Sequence, residues 1–184
     1  MRIFLVANNQ NLNNNWCNRM NKIFILNNDD IVIRFTKLAL FNLFYGVTNE
    51  YYIRSGNNNI YNGLINYKLQ NNYIINNKNN IKIKLIISNN NKNKNKNDII
   101  KINNTNNIKI NNILYIDELR NLLKSSPSSG FIVLLDCIKK YPNSQIYLMG
   151  FNFYNGIINW HNFNKEYKFI INLINKKKRI KIII

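Results

Sequence analysis

Short apolar runs, separated by polar and asparagine-rich segments, organise this 184-residue chain. The run from Ile3 to Ala7 is apolar throughout, which is typical of a strand buried on both faces. Further strands are predicted at 30–35, 51–54, 81–87, 145–151 and 180–184. Residues 117–123, 131–140 and 166–174 are predicted to form helices, from apolar positions at helical spacing or from acidic residues at the amino end. Strands that alternate with helices favour a mainly parallel sheet.

We therefore expect one α/β domain over residues 1–184, with three layers and with helices on both faces of the sheet. The predicted core contains Leu5, Val6, Ile33, Val133, Leu134, Ile146, Leu148 and Ile182. A low-complexity Asn/Lys insertion is predicted at about 88–112, because such a tract buries too little apolar surface to offset the entropy of ordering. Within it, Asn89–Asn97 is expected to be a mobile loop with no part in an active site.

The charge of the chain is strongly basic, with 26 Lys+Arg against 8 Asp+Glu and a formal net charge of +18. Such an excess ordinarily indicates nucleic acid or an acidic membrane as a partner. However, the 44 asparagines, with the many Ile, Lys and Tyr residues, also fit a genome rich in A/T codons. Nucleic-acid binding is therefore kept as an alternative, and peripheral membrane contact stays open.

Several classes of site are excluded by composition. Two cysteines and one histidine are too few for a disulfide framework, a Cys-based metal site or a multi-His zinc site. No apolar run approaches the ~20 residues that span a bilayer, and the apolar start is too short for a secretory signal, so we expect a cytoplasmic protein. The glycine fingerprints of dinucleotide and P-loop sites are absent. So is a D-x-D pair, which disfavours a transferase that holds its nucleotide through a divalent metal.

Three places carry candidate chemistry. The Ser128-Ser129-Gly130 turn precedes a predicted helix, whose N–H groups and dipole suit a phosphate or carboxylate, although simple N-capping by serine is the alternative. Asn8 follows the first strand, at the edge where α/β folds bind ligands. His161 is the one side chain with an ordinary pKa near neutrality, although a lone histidine is often structural. We expect these residues to line one cleft at the carboxyl ends of the strands.

Three segments in order resemble the motifs of one enzyme family. Residues 4–12, followed by Asp30-Ile31-Val32-Ile33-Arg34-Phe35-Thr36, resemble the large sialylmotif, with Ala7 in place of its glycine and Thr36 in place of its asparagine. Residues 127–130, continuing through Cys137 to 146–151, resemble the small sialylmotif. The spacing His161-x-x-x-x-Glu166 is that of the very small motif. The chain thus resembles the eukaryotic-type sialyltransferases, glycosyltransferase family 29, and the resemblance implies a Rossmann-like, sialyltransferase-like fold.

The resemblance also implies a function. The family transfers sialic acid from CMP-sialic acid with inversion and without a metal, so the implied partners are a CMP-activated sugar donor and a glycan or glycolipid acceptor, with no cofactor. Asn8 and Thr36 would face the nucleotide and its phosphate, and Ser128, Ser129 and Gly130 would hold the donor's phosphate or carboxylate. His161 would be the general base. Glu166 would be a supporting residue, stabilised by the dipole of its own helix. An inactive nucleotide-sugar-binding relative is a further alternative.

Overall fold

Seven strands of the chain pair into one sheet, and two short strands pair separately. The structure is a computed structural model that describes residues 1–7, 12–35, 42–54, 82–87, 110–152, 157–158 and 161–183. Its strands are β1 (Arg2–Val6), β2 (Ile31–Phe35), β3 (Glu50–Arg54), β4 (Lys82–Ile87), β5 (Ile110–Tyr115), β6 (Gln145–Met149), β7 (Ile157–Ile158), β8 (His161–Asn162) and β9 (Ile180–Ile183). Its helices are α1 (Asn14–Ile23), a 3₁₀ helix (Leu43–Gly46), α2 (Asp117–Leu123), α3 (Ser129–Lys140) and α4 (Phe163–Lys176).

The large sheet has the strand order β5-β4-β3-β2-β1-β6-β9, and every neighbouring pair in it is parallel. The chain builds outward from β1 through β2 to β5, then returns to place β6 on the other side of β1. The strand order therefore reverses between β1 and β6. Strands β7 and β8 form an antiparallel pair of their own. The mainly parallel α/β architecture is confirmed.

Helices cover both faces of the sheet. Successive side chains of a strand point to opposite faces, so Ile3 and Leu5 enter one core cluster while Phe4 and Val6 enter the other. The cluster around Phe4 and Val6 is completed by α1 and the 3₁₀ helix, and the opposite cluster by α2, α3 and α4. Three layers are thus present, and burial of both faces explains why β1 is apolar at every central position.

The predicted core residues are buried, with one exception at the rim. Leu5, Val6, Ile33, Val133, Leu134, Ile146 and Leu148 are at most 1% exposed. Each such aliphatic side chain contributes roughly 1.5–3 kcal/mol on burial. Ile182 is half-buried and packs against the core from the edge strand β9, which has a neighbouring strand on one side alone.

The predicted insertion ends too late. Strand β5 begins at Ile110, inside the predicted range of 88–112, and pairs with β4 through Leu85 and Ile113. Asn111 and Asn112 look like a continuation of the asparagine tract, but strand pairing uses the backbone and tolerates them at the edge of the sheet. Residues 88–109, with the predicted loop Asn89–Asn97, lie outside the described residues.

Helix α4 begins three residues before its predicted start. The Asn162 Oδ1 atom accepts a hydrogen bond of 3.1 Å from the backbone N–H of Lys165, so an asparagine side chain caps this helix at its amino end. Because asparagine is so frequent in this chain, the sequence does not distinguish the capping Asn162 from the asparagines around it. Within the described part of the chain, no helix combines the length and the apolarity that crossing a membrane requires.

Candidate functional site

The amino end of α3 lies at the carboxyl edge of the sheet, beside the point where the strand order reverses. Phe35 ends β2 and Phe151 follows β6, and their ring centroids are 5.9 Å apart. A Cβ atom on Gly130 would lie 2.8 Å from Cε1 of Phe151 and 3.3 Å from Cζ of Phe35. Glycine at position 130 therefore lets α3 approach these two rings, rather than leaving an opening for a ligand.

The ends of β1 and β6 are joined at the same edge. The backbone N–H of Ala7 donates to the carbonyl oxygen of Met149 at 3.0 Å, one residue beyond β1. Gly150 has a φ of 68°, which favours glycine and turns the chain away after β6. The predicted ligand-binding residues are Asn8, two residues beyond β1, and Thr36, directly after β2, and both lie outside the described residues.

Arg34, in the segment that resembles the large motif, supports the turn after β2. Its side chain is 1% exposed and donates to the carbonyl oxygen of Leu43 at 2.6 Å and to Oγ1 of Thr48 at 3.1 Å. The 3₁₀ helix that it contacts contains Phe44 and Tyr45 in the left-handed region, with φ values of 54° and 52°. Such backbone is unfavourable for non-glycine residues, so buried hydrogen bonds from Arg34 help to hold it.

Ser128 caps α3 and is itself held by Glu166. The Ser128 Oγ atom accepts from the N–H of Phe131 at 3.2 Å. The backbone N–H of Ser128 donates to Oε1 of Glu166, and its hydroxyl donates to Oε2, each at 2.6 Å. Glu166 is fully buried. A buried carboxylate needs such donors, so these bonds join the amino end of α3 to the first turn of α4.

This geometry bears on the expectations for Ser128 and Glu166. Both donors of Ser128 are directed to Glu166, and a carboxylate already supplies the negative charge that the α3 dipole favours. N-capping, the alternative interpretation, is therefore what the structure shows for Ser128, and a phosphate at Ser128 would meet a like charge. Glu166 lies in the first turn of its own helix, as expected, and its carboxylate also bonds the amino end of the neighbouring helix. The roles of Ser129 and Gly130 toward a donor stay predictions.

His161 lies beside the same turn. Its Nδ1 atom is 2.7 Å from the carbonyl oxygen of Ser126, two residues before the cap. A carbonyl oxygen can only accept, so Nδ1 carries the proton and Nε2 is the basic nitrogen of the neutral ring. The ring is half-buried and packs near Phe163, with centroids 5.6 Å apart. Among the predicted residues that are described, the structure thus brings His161 together with the Ser128-Ser129-Gly130 turn.

A second polar cluster, which the sequence did not predict, lies at the opposite edge of the sheet. We call it the ionic cluster: Glu50, Tyr52, Lys84, Asp136, Lys140 and Tyr141. The Lys84 Nζ atom is 3.1 Å from Glu50 Oε2, 2.9 Å from Asp136 Oδ2 and 2.5 Å from the Tyr52 hydroxyl. Glu50 also bonds Lys140 and Tyr141. Glu50 begins β3 and Lys140 ends α3, so this is the amino edge of the sheet, away from His161.

In the ionic cluster, Glu50 and Lys84 stay charged despite their burial. Burial alone would raise the pKa of Glu50, but hydrogen bonds from Lys140 and Tyr141, with the Lys84 charge, hold it below its usual value. Burial would lower the pKa of Lys84, but the two carboxylates raise it instead. Burial raises the pKa of the Tyr52 hydroxyl and of the Cys137 thiol. Neither is therefore prepared as a base or nucleophile at neutral pH, and the cluster's role is to join β3, β4 and α3.

One sequence signal marks this cluster. The alternation Ile81-Lys82-Ile83-Lys84 indicates lysines that face solvent, yet Lys84 is buried while Lys82 is exposed. The informative residue is Asp136, which interrupts the otherwise apolar stretch 131–138 of α3. An acid on the apolar face of a helix that packs on a sheet requires a buried partner, and Lys84 is that partner.

Known proteins give no further assignment. Comparison with protein-family models, with curated proteins and with solved structures finds no match to this chain. Within the described ranges, no three His, Cys, Asp or Glu side chains are grouped so that they could hold a metal ion. The chemistry that the site can perform therefore depends on His161 and the residues around it.

Proposed function

We propose that the chain is a metal-independent glycosyltransferase, which transfers a sugar acid from a CMP-activated donor to a glycan hydroxyl with inversion, and that His161 is its general base. The observation that carries the proposal is the bond from His161 Nδ1–H to the Ser126 carbonyl. It leaves the basic nitrogen on Nε2, beside the edge of the sheet where the strand order reverses.

The chemistry of the transfer requires such a base. An acceptor hydroxyl is a poor nucleophile until its proton is removed, and a positioned histidine contributes roughly 10²–10⁴-fold in rate. A base that is itself held by a hydrogen bond to its other nitrogen keeps one tautomer and one ring orientation. The Ser126 carbonyl supplies that bond here. In the proposed reaction, Nε2 takes the proton as the acceptor oxygen attacks the anomeric carbon and the CMP leaving group departs.

The strand order supports a donor site beside His161. In open parallel sheets, ligands bind beyond the carboxyl ends of the strands at the point where the order reverses. The strands β3-β2-β1-β6-β9 follow the order of Rossmann-like nucleotide-binding folds, which supports the Rossmann-like part of the proposed fold. We assign Asn8, two residues beyond β1, and Thr36, directly after β2, to the nucleotide and its phosphate.

The remaining predicted residues take a narrower role in the proposal. Glu166 already supplies a negative charge at the amino end of α3. We therefore assign Ser129 to a hydroxyl group of the donor rather than to its phosphate, whereas Gly130 serves the packing of α3 on Phe35 and Phe151. The net charge of +18 favours the approach of an anionic donor from solution.

Ligand-dependent thermal unfolding separates this function from its alternatives. A ligand that binds the native state raises its stability, by about 2.7 kcal/mol at a concentration of 100 Kd. We expect CMP to raise the Tm and a DNA oligonucleotide to leave it unchanged, and we expect transfer from a CMP-activated sugar acid to persist in EDTA. A rise with DNA but not with CMP would indicate the nucleic-acid-binding alternative. A rise with CMP and no transfer would indicate an inactive relative.

A further inference from the structure

We infer that Glu166 is a positioning residue that fixes the tautomer and orientation of the His161 ring, acting through Ser128 and the backbone of 126–128. The inference rests on the proposed function where it concerns catalysis. The structural part of the inference does not rest on that function, because it concerns how the segment 161–166 holds the segment 126–128. Glu166 is not a catalytic residue in this account, since its carboxylate bonds Ser128 and acts on the ring through the segment 126–128.

Two side chains of the segment 161–166 form hydrogen bonds with the same short segment, residues 126–128. His161, in β8, bonds the carbonyl of Ser126 at 2.7 Å, and Glu166, in the first turn of α4, bonds the N–H and hydroxyl of Ser128 at 2.6 Å each. Pro127 lies between Ser126 and Ser128. It is buried, and its ring restricts its backbone. The fixed φ of Pro127 removes one of the rotations that could absorb a displacement of Ser128 before it reaches the Ser126 carbonyl.

We call the His161–Ser126 and Glu166–Ser128 contacts together the clamp. The segment 161–166, which supplies both side chains, is itself held by a hydrogen bond. Asn162 follows His161 and caps α4, with its Oδ1 atom 3.1 Å from the N–H of Lys165. This cap stabilises the start of α4 directly after β8, between His161 and Glu166 in the sequence. The spacing of five residues places one group on the strand and the other on the first helical turn, which allows both to reach the segment 126–128.

The consequence concerns which nitrogen is basic. A neutral histidine has a proton on either nitrogen, and the hydrogen bond made by one nitrogen decides the other's role. Without Glu166, Ser128 loses two bonds, the backbone of 126–128 is held by fewer contacts, and the Nδ1–H tautomer loses part of its advantage. A ring with its proton on Nε2 cannot accept a proton there, and displacement of a catalytic group by about 1 Å costs on the order of 10²-fold in rate.

Nuclear magnetic resonance tests this directly, because His161 is the single histidine of the chain. With ¹⁵N-labelled histidine, two-bond nitrogen–proton correlations of the neutral ring report which nitrogen carries the proton. We expect the Nδ1–H tautomer in the wild type and a substantial Nε2–H population in Glu166→Ala. Glu166→Gln keeps both contacts, because an amide can accept from the Ser128 N–H and donate to its hydroxyl, so we expect the wild-type pattern. Lys168→Ala, at an exposed position of α4, is the matched control.

The outcomes distinguish this inference from the proposed function. The spectra need no donor, so a wild type that transfers no sugar would overturn the proposed function and leave the clamp standing. A wild-type tautomer in folded Glu166→Ala, or the Nε2–H tautomer in the wild type, would overturn the clamp. If Glu166→Ala does not fold, Glu166→Asp, which is shorter by one methylene, is expected to show the same tautomer change, and its absence contradicts the inference. Transfer should fall roughly 10²-fold in the alanine variant and recover with glutamine.

Discussion

Gly130 combines two effects of opposite sign in a single residue. Alanine is favoured over glycine within a helix by roughly 0.5–1 kcal/mol. A Cβ at this position, however, would lie 2.8 Å from the buried ring of Phe151. Overpacking of a core ordinarily costs about 1–3 kcal/mol. We therefore expect Gly130→Ala to lower the free energy of unfolding by about 1–2 kcal/mol, measured by chemical denaturation.

A double-mutant cycle identifies the cause of that loss. In a Phe151→Leu background the ring carbon nearest to the new methyl group is gone, so Gly130→Ala should cost less than in the wild type. Equal costs in the two backgrounds would show that the Phe151 contact is not responsible. The close approach that Gly130 permits is that of a side chain 21 positions away.

At the scale of elements, the ionic cluster is what joins β3, β4 and α3 at the amino edge. Lys84→Met removes the cation that faces the carboxylates of Glu50 and Asp136, both largely buried. Breaking a buried pair on one side leaves uncompensated charge and costs about 3–5 kcal/mol. We expect that loss in the free energy of unfolding. Lys82→Met, on the same strand but exposed, should change it by less than about 0.5 kcal/mol, and a comparable loss there would contradict the account.

Asp30 and Arg2 form an ion pair at the amino end of β1 that is sensitive to acid. Burial would raise the pKa of Asp30, but its hydrogen bonds with Arg2 lower it below the ordinary value of 3.8. A carboxyl whose folded-state pKa is depressed stabilises the fold above its unfolded-state pKa, and this stability is lost as the pH falls through the folded-state pKa. Glu50, with its lowered pKa, acts in the same direction.

We therefore expect the Tm of the wild type to fall as the pH is lowered below about 4. Asp30→Asn should lower the Tm at pH 7 and make this acid decline shallower, because one of its sources is removed. Asp29→Asn is the control at an exposed neighbouring carboxylate and should keep the wild-type decline. Equal slopes for Asp30→Asn and the wild type would show that the Arg2 pair contributes nothing to the acid sensitivity.

The elements of this chain differ in how well the sequence predicts them. Strands such as β1 and β6 are predictable because burial on both faces demands continuous apolar residues. Strand β5 was missed, since its Asn111 and Asn112 resemble the preceding tract and its pairing is a backbone interaction. The bond between Glu166 and Ser128 was also missed, because an acid in the first turn of a helix is explained equally well by its own dipole.

At the scale of the whole molecule, four acids bond inside the fold, three of them to basic side chains, so the net positive charge stays essentially that of the sequence. Asp30, Glu50, Asp136 and Glu166 all bond other residues of the protein. Sequence predicted the layers, the parallel sheet and the nearness of His161 to the serine turn. The partner of each buried polar group could not be predicted, because these contacts join residues tens of positions apart and depend on how α3 and α4 pack.

The central claim is that Nε2 of His161 is the base of a sugar transfer, and single-turnover kinetics of His161→Ala test it most directly. With CMP-sialic acid and a glycan acceptor in EDTA, we expect the wild type to transfer the sugar and the variant to be slower by about 10²–10⁴-fold. The CMP-induced rise in Tm should be retained in the variant, and Lys168→Ala should transfer at the wild-type rate. Transfer by His161→Ala at the wild-type rate, or no consumption of the donor by the wild type, would contradict the account.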